Sequence, residues 1–123
     1  MDDKTTLKRS NAGMRLIAQT TLYNQGDFER LRGYIADYYH PSALEAQPEK
    51  DRLLELKMTY RVAGKLRVHQ IVAADKHRVI VMLHAQKNSS LYLAEMSVEE
   101  DYPHKVTNYH HQLMGELQTE DEP

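Results

Sequence analysis

The spacing of apolar residues changes at Gly64, and this change constrains the fold more than any other feature. Before Gly64 apolar residues recur at every third or fourth position, which is the period of one helix face. After Gly64 they alternate or form short continuous runs, which are typical of strands. The 123 residues amount to about one domain. The sequence therefore predicts a single α+β domain over residues 1–117, with helices first and a sheet second.

Three helices are predicted in the first half. The first covers about residues 3–24 and directs one apolar stripe towards the core, formed by Leu7, Met14, Ile17, Ala18, Thr21 and Leu22. Gly26 ends it, and Asp27 is a suitable N-cap for a second, short helix that buries Phe28, Leu31, Tyr34 and Ile35. The His40-Pro41 pair excludes a regular helix over residues 36–44. A third helix begins at Pro48 and ends at Gly64, with a wide apolar side formed by Leu53, Leu54, Leu56, Met58 and Tyr60.

Four strands are predicted in the second half, over residues 66–74, 79–85, 91–98 and 106–114. Asp75-Lys76 and Asn88-Ser89 are turn signals, and residues 99–104 form a longer loop. Successive strands at hairpin spacing indicate an antiparallel meander. In the second strand both faces are apolar, so both require cover. Helices cover one face, and we expect a second copy of the chain on the other, so that a homodimer forms through the outer sheet face. The alternative is cover by the protein's own loops.

Composition excludes several classes of function. The chain has no cysteine, which excludes a disulfide scaffold, a thiol nucleophile and a Cys-type zinc site. Its net charge of −2 gives no electrostatic footprint for nucleic acid. No apolar run is long enough for a membrane span, and no secretory signal is visible, so we expect a cytoplasmic protein. No metal and no cofactor are expected, because the histidines lack ligand spacing and no Gly-rich phosphate loop occurs. The acidic segment 118–123 is expected to be a disordered tail.

Four segments, in this order, resemble the nuclear transport factor 2-like superfamily and, within it, the SnoaL-like branch. They are residues 26–31 (GDFERL), 36–40 (ADYYH), 66–73 (LRVHQIVA) followed by Asp75, and 105–111 (KVTNYHH). The resemblance implies a cone-shaped, cystatin-like fold, in which three N-terminal helices pack on a strongly curved, mainly antiparallel sheet and leave a pocket at the open end. The family includes isomerases, cyclases, dehydratases and non-catalytic binding proteins, so the fold does not settle the function.

The resemblance also suggests catalytic residues. SnoaL-like cyclases carry an acid/base carboxylate near the end of the last strand, and that position is His111 here, so the family's aspartate is absent. A histidine also moves protons near neutral pH. Strand alternation places Thr107, Tyr109 and His111 on one face, which the resemblance assigns to the pocket. His40 is expected at the pocket mouth, as a proton donor. The alternative for both histidines is a loop or sheet-end position without a chemical role.

The ligand-binding candidates are mostly tyrosines, since the chain has eight Tyr, one Phe and no Trp. Strand parity and position nominate six pocket residues: Tyr38, Tyr39, Tyr60, Tyr92, Met96 and Tyr109. Ordinary packing is the alternative for each. We expect Glu95 at the dimer interface, although an inward position would make it a carboxylate base. We expect His84, which interrupts an apolar run, to be a satisfied core or interface residue.

The leading hypothesis is a protein that binds a small apolar or aromatic molecule and transfers a proton next to a carbonyl without a cofactor. His111 is then the base, and His40 or a tyrosine hydroxyl is the electrophilic partner. The alternative is a non-catalytic ligand-binding or protein-interaction module. A closed cavity of about 300 Å³ or more with convergent polar groups favours the enzyme, whereas a filled interior favours the alternative.

Overall fold

A computed structural model describes residues 3–116, with side chains described from Thr5 onwards. The predicted tail 118–123 lies outside the described residues. This part of the chain is an α+β structure, as predicted, with five helices before four strands. They are α1 (Asp3–Lys8), α2 (Asn11–Gln25), α3 (Phe28–Tyr38), α4 (Pro41–Ala46), α5 (Glu49–Ala63), β1 (Leu66–Ala74), β2 (Arg78–Ala85), β3 (Ser90–Val98) and β4 (Val106–Glu116).

The predicted first helix is divided into α1 and α2 at Ser10. The Ser10 hydroxyl accepts a hydrogen bond from the Gly13 amide at 3.0 Å and donates one to the Asp75 carbonyl at 2.6 Å. Ser10 is therefore the N-cap of α2 and also holds the β1–β2 turn. Gly13 is required here because a Cβ at this position would lie 2.1 Å from the Leu7 carbonyl oxygen. The backbones of α1 and α2 approach so closely at Gly13 that only a residue without a side chain fits.

The face that α2 buries also differs from the prediction. Its buried residues are Ala12, Gly13, Leu16, Gln19 and Tyr23, whereas Met14 is 52% exposed. Gln19 is buried because its side-chain oxygen accepts a hydrogen bond from the Tyr39 hydroxyl. The Tyr23 hydroxyl donates to the Gly64 carbonyl at 2.8 Å. A count of apolar residues misses this face because two of its members are polar groups with buried partners.

The prediction for α3 holds at its beginning and fails at its end. Asp27 caps the helix by accepting from the Arg30 amide at 3.2 Å. The helix continues to Tyr38, and α4 begins at Pro41, inside the region where no helix was expected. Proline is tolerated in the first turn of a helix, and the His40 ring caps α4 by accepting from the Ser42 amide at 3.1 Å. The predicted break is thus confined to Tyr39 and His40.

The third predicted helix corresponds to α5. Pro48 is its N-cap rather than its first residue, and Gly64 ends it with a φ of 71°. Leu53 and Leu56 are buried, but Leu54 and Met58 are 55% and 57% exposed. The wide apolar side is therefore wrong at these two positions.

The sheet is the predicted antiparallel meander, in the order β1-β2-β3-β4. Its inner face is the most buried part of the protein, and it alternates with the outer face along β2 and β3. The inner residues of these strands are Val79, Val81, Leu83, Ala85, Tyr92, Ala94, Met96 and Val98. Helix α2 packs across β1, β2 and β3 and covers this face. No helix in residues 3–116 has the length and apolarity that a membrane crossing needs.

Outside the four strands, Tyr39 pairs in parallel with Val106 of β4 through one isolated bridge. At the opposite edge, β1 carries register shifts between Val68 and Gln70 and between Ile71 and Ala73. Such bulges make an edge strand a poorer template for further strands. The Asn24 side chain binds the Leu66 amide and carbonyl, both at 2.8 Å, and so joins the end of α2 to the start of β1.

Candidate functional site

His111 lies on the inner face of β4, at the centre of a short hydrogen-bonded chain. Its Nδ1 atom is 2.9 Å from the Tyr109 hydroxyl, and its Nε2 atom is 3.0 Å from the Thr59 hydroxyl on α5. Strand alternation brings Tyr109 and His111 to one face, as predicted, while Thr59 comes from a helix 52 residues earlier. A neutral imidazole donates with one nitrogen and accepts with the other. Both ring nitrogens of His111 therefore have partners within the protein.

The surroundings of the Tyr109–His111–Thr59 hydrogen bonds favour the neutral forms of the side chains. Desolvation lowers the pKa of His111, and the nearby His110 acts in the same direction, while Glu55 opposes the shift. Desolvation likewise raises the pKa of the Tyr109 hydroxyl, with a smaller contribution from Glu55. Tyr109 is therefore a proton-bearing phenol next to an imidazole that resists protonation. A neutral imidazole can act as a general base, provided that a substrate reaches it.

A second polar cluster lies beside the first. Arg52, only 8% exposed, donates to the carbonyls of Gln47 and Ala43, both at 2.8 Å, and lies 3.4 Å from the Tyr109 carbonyl. Its guanidinium is 5.0 Å from the centre of the Tyr39 ring. All these contacts are to carbonyls and to one aromatic face. Arg52 thus connects the end of α4 to β4 and forms one wall of the interior.

The space around these residues is nearly filled. One void beside Arg52, Tyr109 and His111 has a volume of about 10 Å³, and a second, beside Gln19, Tyr23 and Tyr109, also has about 10 Å³. A water molecule needs roughly 10–15 Å³, so each void holds at most one water. Tyr109 and His111 therefore lie together, and the two voids beside them are each far smaller than an organic substrate.

Two more predicted pocket residues, Tyr92 and Met96, lie on the inner sheet face. Tyr92 is buried, with its ring 5.5 Å from that of His111 in an edge-on contact. Met96 is fully buried and pairs with Tyr109 across the strands. Tyr60 instead packs edge-on against Tyr23 at 5.2 Å and Phe28 at 5.3 Å. Tyr39, Tyr92, Tyr109 and His111 are thus grouped, whereas Tyr60 belongs to an aromatic cluster between the helices.

The other two predicted residues lie elsewhere. His40 uses Nδ1 to cap α4, and its Nε2 atom is 3.9 Å from a Glu99 carboxylate oxygen. The His40 amide donates to the Val106 carbonyl, and His111 lies five positions further along β4 than Val106, which is roughly 16 Å of strand. Tyr38 is 40% exposed and lies under the Arg15 guanidinium at 4.4 Å. Neither side chain reaches the His111 cluster.

No group of three or more Asp, Glu or His side chains in the described residues is arranged to hold a metal ion. Glu95, on the outer face of β3, binds Arg78 at 2.6 Å and lies 3.7 Å from the His110 Nε2 atom. It therefore points away from the interior.

The structure has a groove that the sequence did not indicate, between α1, α2 and β1, with a volume of about 430 Å³. We call it the α2–β1 groove. Its apolar wall consists of Leu7, Leu16, Ile17, Leu66 and Val68. Four polar residues complete it: Thr20, Thr21, Asn24 and Arg67. This size and a mainly apolar lining are typical of small-molecule sites.

A second cavity of about 220 Å³, which we call the β1-end cavity, lies beside the groove at the start of β1. Asn24, Leu66 and Arg67 line both spaces, and Lys65, His84 and Gln86 complete the second. A larger depression of about 640 Å³ between α3 and α5 is lined mainly by Glu29, Arg32, Glu49, Lys50 and Lys57. Its charges of both signs make it a poor site for an apolar molecule.

Sequence reasoning missed Thr59, Gln19 and Arg52 in the interior, and it misassigned the groove. Ile17, Thr20, Thr21 and Asn24 follow the spacing of one helix face, so the helical period did carry a signal. That signal was interpreted as part of the core stripe, because Ile17 and Thr21 fitted the apolar pattern. Residues of this face line the open groove instead.

No protein-family model matches the chain, and neither the curated proteins nor the solved structures searched contain a significant match.

Proposed function

We propose that this protein binds a small, mainly apolar organic molecule in the α2–β1 groove and does not transform it. The observation that carries the proposal is the contrast between the two sites. The groove has about 430 Å³ and an apolar wall, whereas each interior void has about 10 Å³. Binding needs shape and apolar area, which the groove provides.

The arrangement of His111 supports the non-catalytic side of this proposal. A general base needs a free lone pair within hydrogen-bond distance of the substrate proton. Thr59 and Tyr109 engage both ring nitrogens of His111. His40, the proposed partner, caps α4.

The proposal is tested with octan-1-ol as a neutral apolar probe, titrated into ¹⁵N-labelled protein and followed by NMR. We expect amide shifts along Ile17, Thr21 and Val68. The substitution Thr21→Trp fills the groove from an exposed position of α2 and is expected to weaken binding at least about tenfold, a loss of 1.4 kcal/mol or more. Met14→Trp is the matched control, since Met14 is exposed on the same helix but does not line the groove. Equal affinity for both variants, or shifts confined to Tyr109 and His111, contradicts the proposal.

A second candidate function is proton transfer next to a carbonyl at His111, and the Tyr109–His111–Thr59 chain favours it. This candidate requires the interior to open at Tyr109, which lines both interior voids, because each void has only about 10 Å³. The test is α-proton exchange of cyclohexanone in D₂O, followed by ¹H NMR. Exchange above the level of the His111→Gln variant supports catalysis, and equal rates contradict it.

Membership in the nuclear transport factor 2-like superfamily, with its cone-shaped fold, is part of the proposal, and the order of helices and strands supports it. So is a homodimer through the outer sheet face. The centre of that face is apolar, formed by Ile80, Met82, Leu91 and Leu93, and Arg78 and Glu95 lie beside it, as in many protein interfaces. Sedimentation of the wild type as a dimer and of Met82→Arg as a monomer supports this; a monomeric wild type contradicts it.

A further inference from the structure

We propose that the ligand of the α2–β1 groove is an amphipathic anion, whose apolar chain lies in the groove and whose carboxylate lies in the β1-end cavity. The inference rests on the proposed function and adds the chemical class of the ligand. It comes from the residues that surround the junction of the two cavities.

Arg67 is the residue at this junction, since it lines both cavities. It pairs with His84 across β1 and β2, so the two side chains start about 5 Å apart on one face. Lys65 adds a second permanent positive charge to the same cavity. The β1-end cavity therefore carries two fixed cations and one histidine that an anion would complement.

Among the described residues, no acidic side chain offsets these charges. The described residues that line the two cavities include no Asp and no Glu. Of the side chains described from Thr5 to Glu116, no carboxylate lies within 4.0 Å of Lys65 or Arg67, whereas Arg32 and Arg78 bind Glu49 and Glu95. An arginine fork that has no carboxylate partner among these residues is suited to a ligand carboxylate, which it binds through two parallel hydrogen bonds.

The polar groups of the cavity wall are incompletely satisfied. The Nε2 atom of His84 is buried and has no hydrogen-bond partner in the described part of the chain. The Asn24 amide, in contrast, already donates to the Leu66 carbonyl and accepts from the Leu66 amide. Unpaired buried groups carry a free-energy cost, so His84 marks the cavity as a place where a further polar partner lowers that cost.

The position of the charges relative to the apolar wall defines the ligand. The apolar residues Leu16, Ile17 and Val68 lie in the groove, and the cations lie at one end of it. A neutral molecule uses only the groove, and a small inorganic anion uses only the end cavity. A medium-chain carboxylate uses both, which is why we choose it over either fragment.

The experiment compares octanoate, octan-1-ol and octylammonium, which have the same number of carbon atoms and different head groups, by NMR titration. We expect octanoate to bind at least about tenfold more tightly than octan-1-ol, and octylammonium to bind least tightly. Arg67→Gln is expected to reduce octanoate affinity to that of octan-1-ol and to leave octan-1-ol unchanged. Arg67→Lys keeps the charge but not the fork, so an intermediate affinity is expected.

Arg30→Gln is the matched control, because it removes one positive charge from an exposed position on α3, away from both cavities. If octan-1-ol binds in the groove and octanoate binds no more tightly, the anion inference is wrong and the proposed function stands. If neither molecule binds, both fail. An equal loss of octanoate affinity in Arg30→Gln and Arg67→Gln also overturns the inference, because the effect is then one of net charge.

Discussion

Ser10 makes two contacts whose loss is measurable. In Ser10→Ala, α2 loses its cap, at a cost of about 1 kcal/mol. The buried hydroxyl also loses its hydrogen bond to the Asp75 carbonyl, which is worth roughly another 1 kcal/mol. We therefore expect the free energy of unfolding to fall by about 2 kcal/mol. With an unfolding entropy of about 2.1 cal/mol/K per residue, or about 0.26 kcal/mol/K for this chain, Tm falls by about 8 °C.

The assay is thermal unfolding followed by circular dichroism at fixed pH, with urea denaturation as a second measure. Ser42→Ala is the matched control. The Ser42 hydroxyl is exposed in the first turn of α4, and its hydrogen bond within the described residues is with the His40 ring at 2.9 Å. Its loss is expected to change the free energy of unfolding by less than about 0.5 kcal/mol. If Ser10→Ala lowers Tm no more than Ser42→Ala does, Ser10 does not join α2 to the β1–β2 turn, and the reasoning is refuted.

Three further substitutions test the packing and the interior network. Gly13→Ala places a Cβ against the Leu7 carbonyl, so we expect the free energy of unfolding, measured by urea denaturation, to fall by about 3 kcal/mol. A decrease of less than about 0.5 kcal/mol contradicts the close approach of α1 and α2. Arg52→Lys removes the guanidinium fork that donates to the Gln47 and Ala43 carbonyls, so we expect the free energy of unfolding to fall by about 2 kcal/mol. An unchanged urea midpoint contradicts a stabilising role of these hydrogen bonds. Because desolvation lowers the pKa of His111, the unfolded chain binds this proton at higher pH than the folded protein does. Stability is therefore expected to fall as the pH drops below about 6.5, by up to about 1.4 kcal/mol per pH unit, and His111→Gln is expected to reduce this slope. Equal slopes for both proteins between about pH 5 and 7.5 contradict a neutral, desolvated His111.

The sheet was predictable because its signal is local. Strand alternation separates the two faces within each strand, and the structure pairs Val81 with Ala94 and Ala94 with His111 on the inner side. Turn residues also placed the strand ends to within a few positions. The period of two depends only on neighbouring residues, so it survives without knowledge of the tertiary structure.

The helix faces were less predictable because buried polar residues break the apolar pattern. Gln19 and Tyr23 are buried since Tyr39 and Gly64 provide their partners, and these partners are distant in sequence. Met14 fits the apolar pattern, yet it is half exposed. An apolar count cannot include a hydrogen bond that forms only after folding.

The candidate sites were predictable where strand alternation decides them, and not where residues from distant elements contribute. The grouping of Tyr92, Tyr109 and His111 follows from strand parity and strand pairing. Thr59, which lies on α5, completes the hydrogen-bonded chain through His111. His40 caps α4, and its position before Pro41 gives no indication of this role. The α2–β1 groove depends on the placement of two elements that Asn24 joins, so no local pattern indicates it.

The most direct test is a crystal structure of the protein with octanoate. We expect the alkyl chain between Ile17 and Val68 and the carboxylate within hydrogen-bond distance of the Arg67 guanidinium, with Tyr109 and His111 unmoved. Octanoate in the interior, with Tyr109 displaced and the carboxylate near His111, contradicts the assignment of the groove as the binding site.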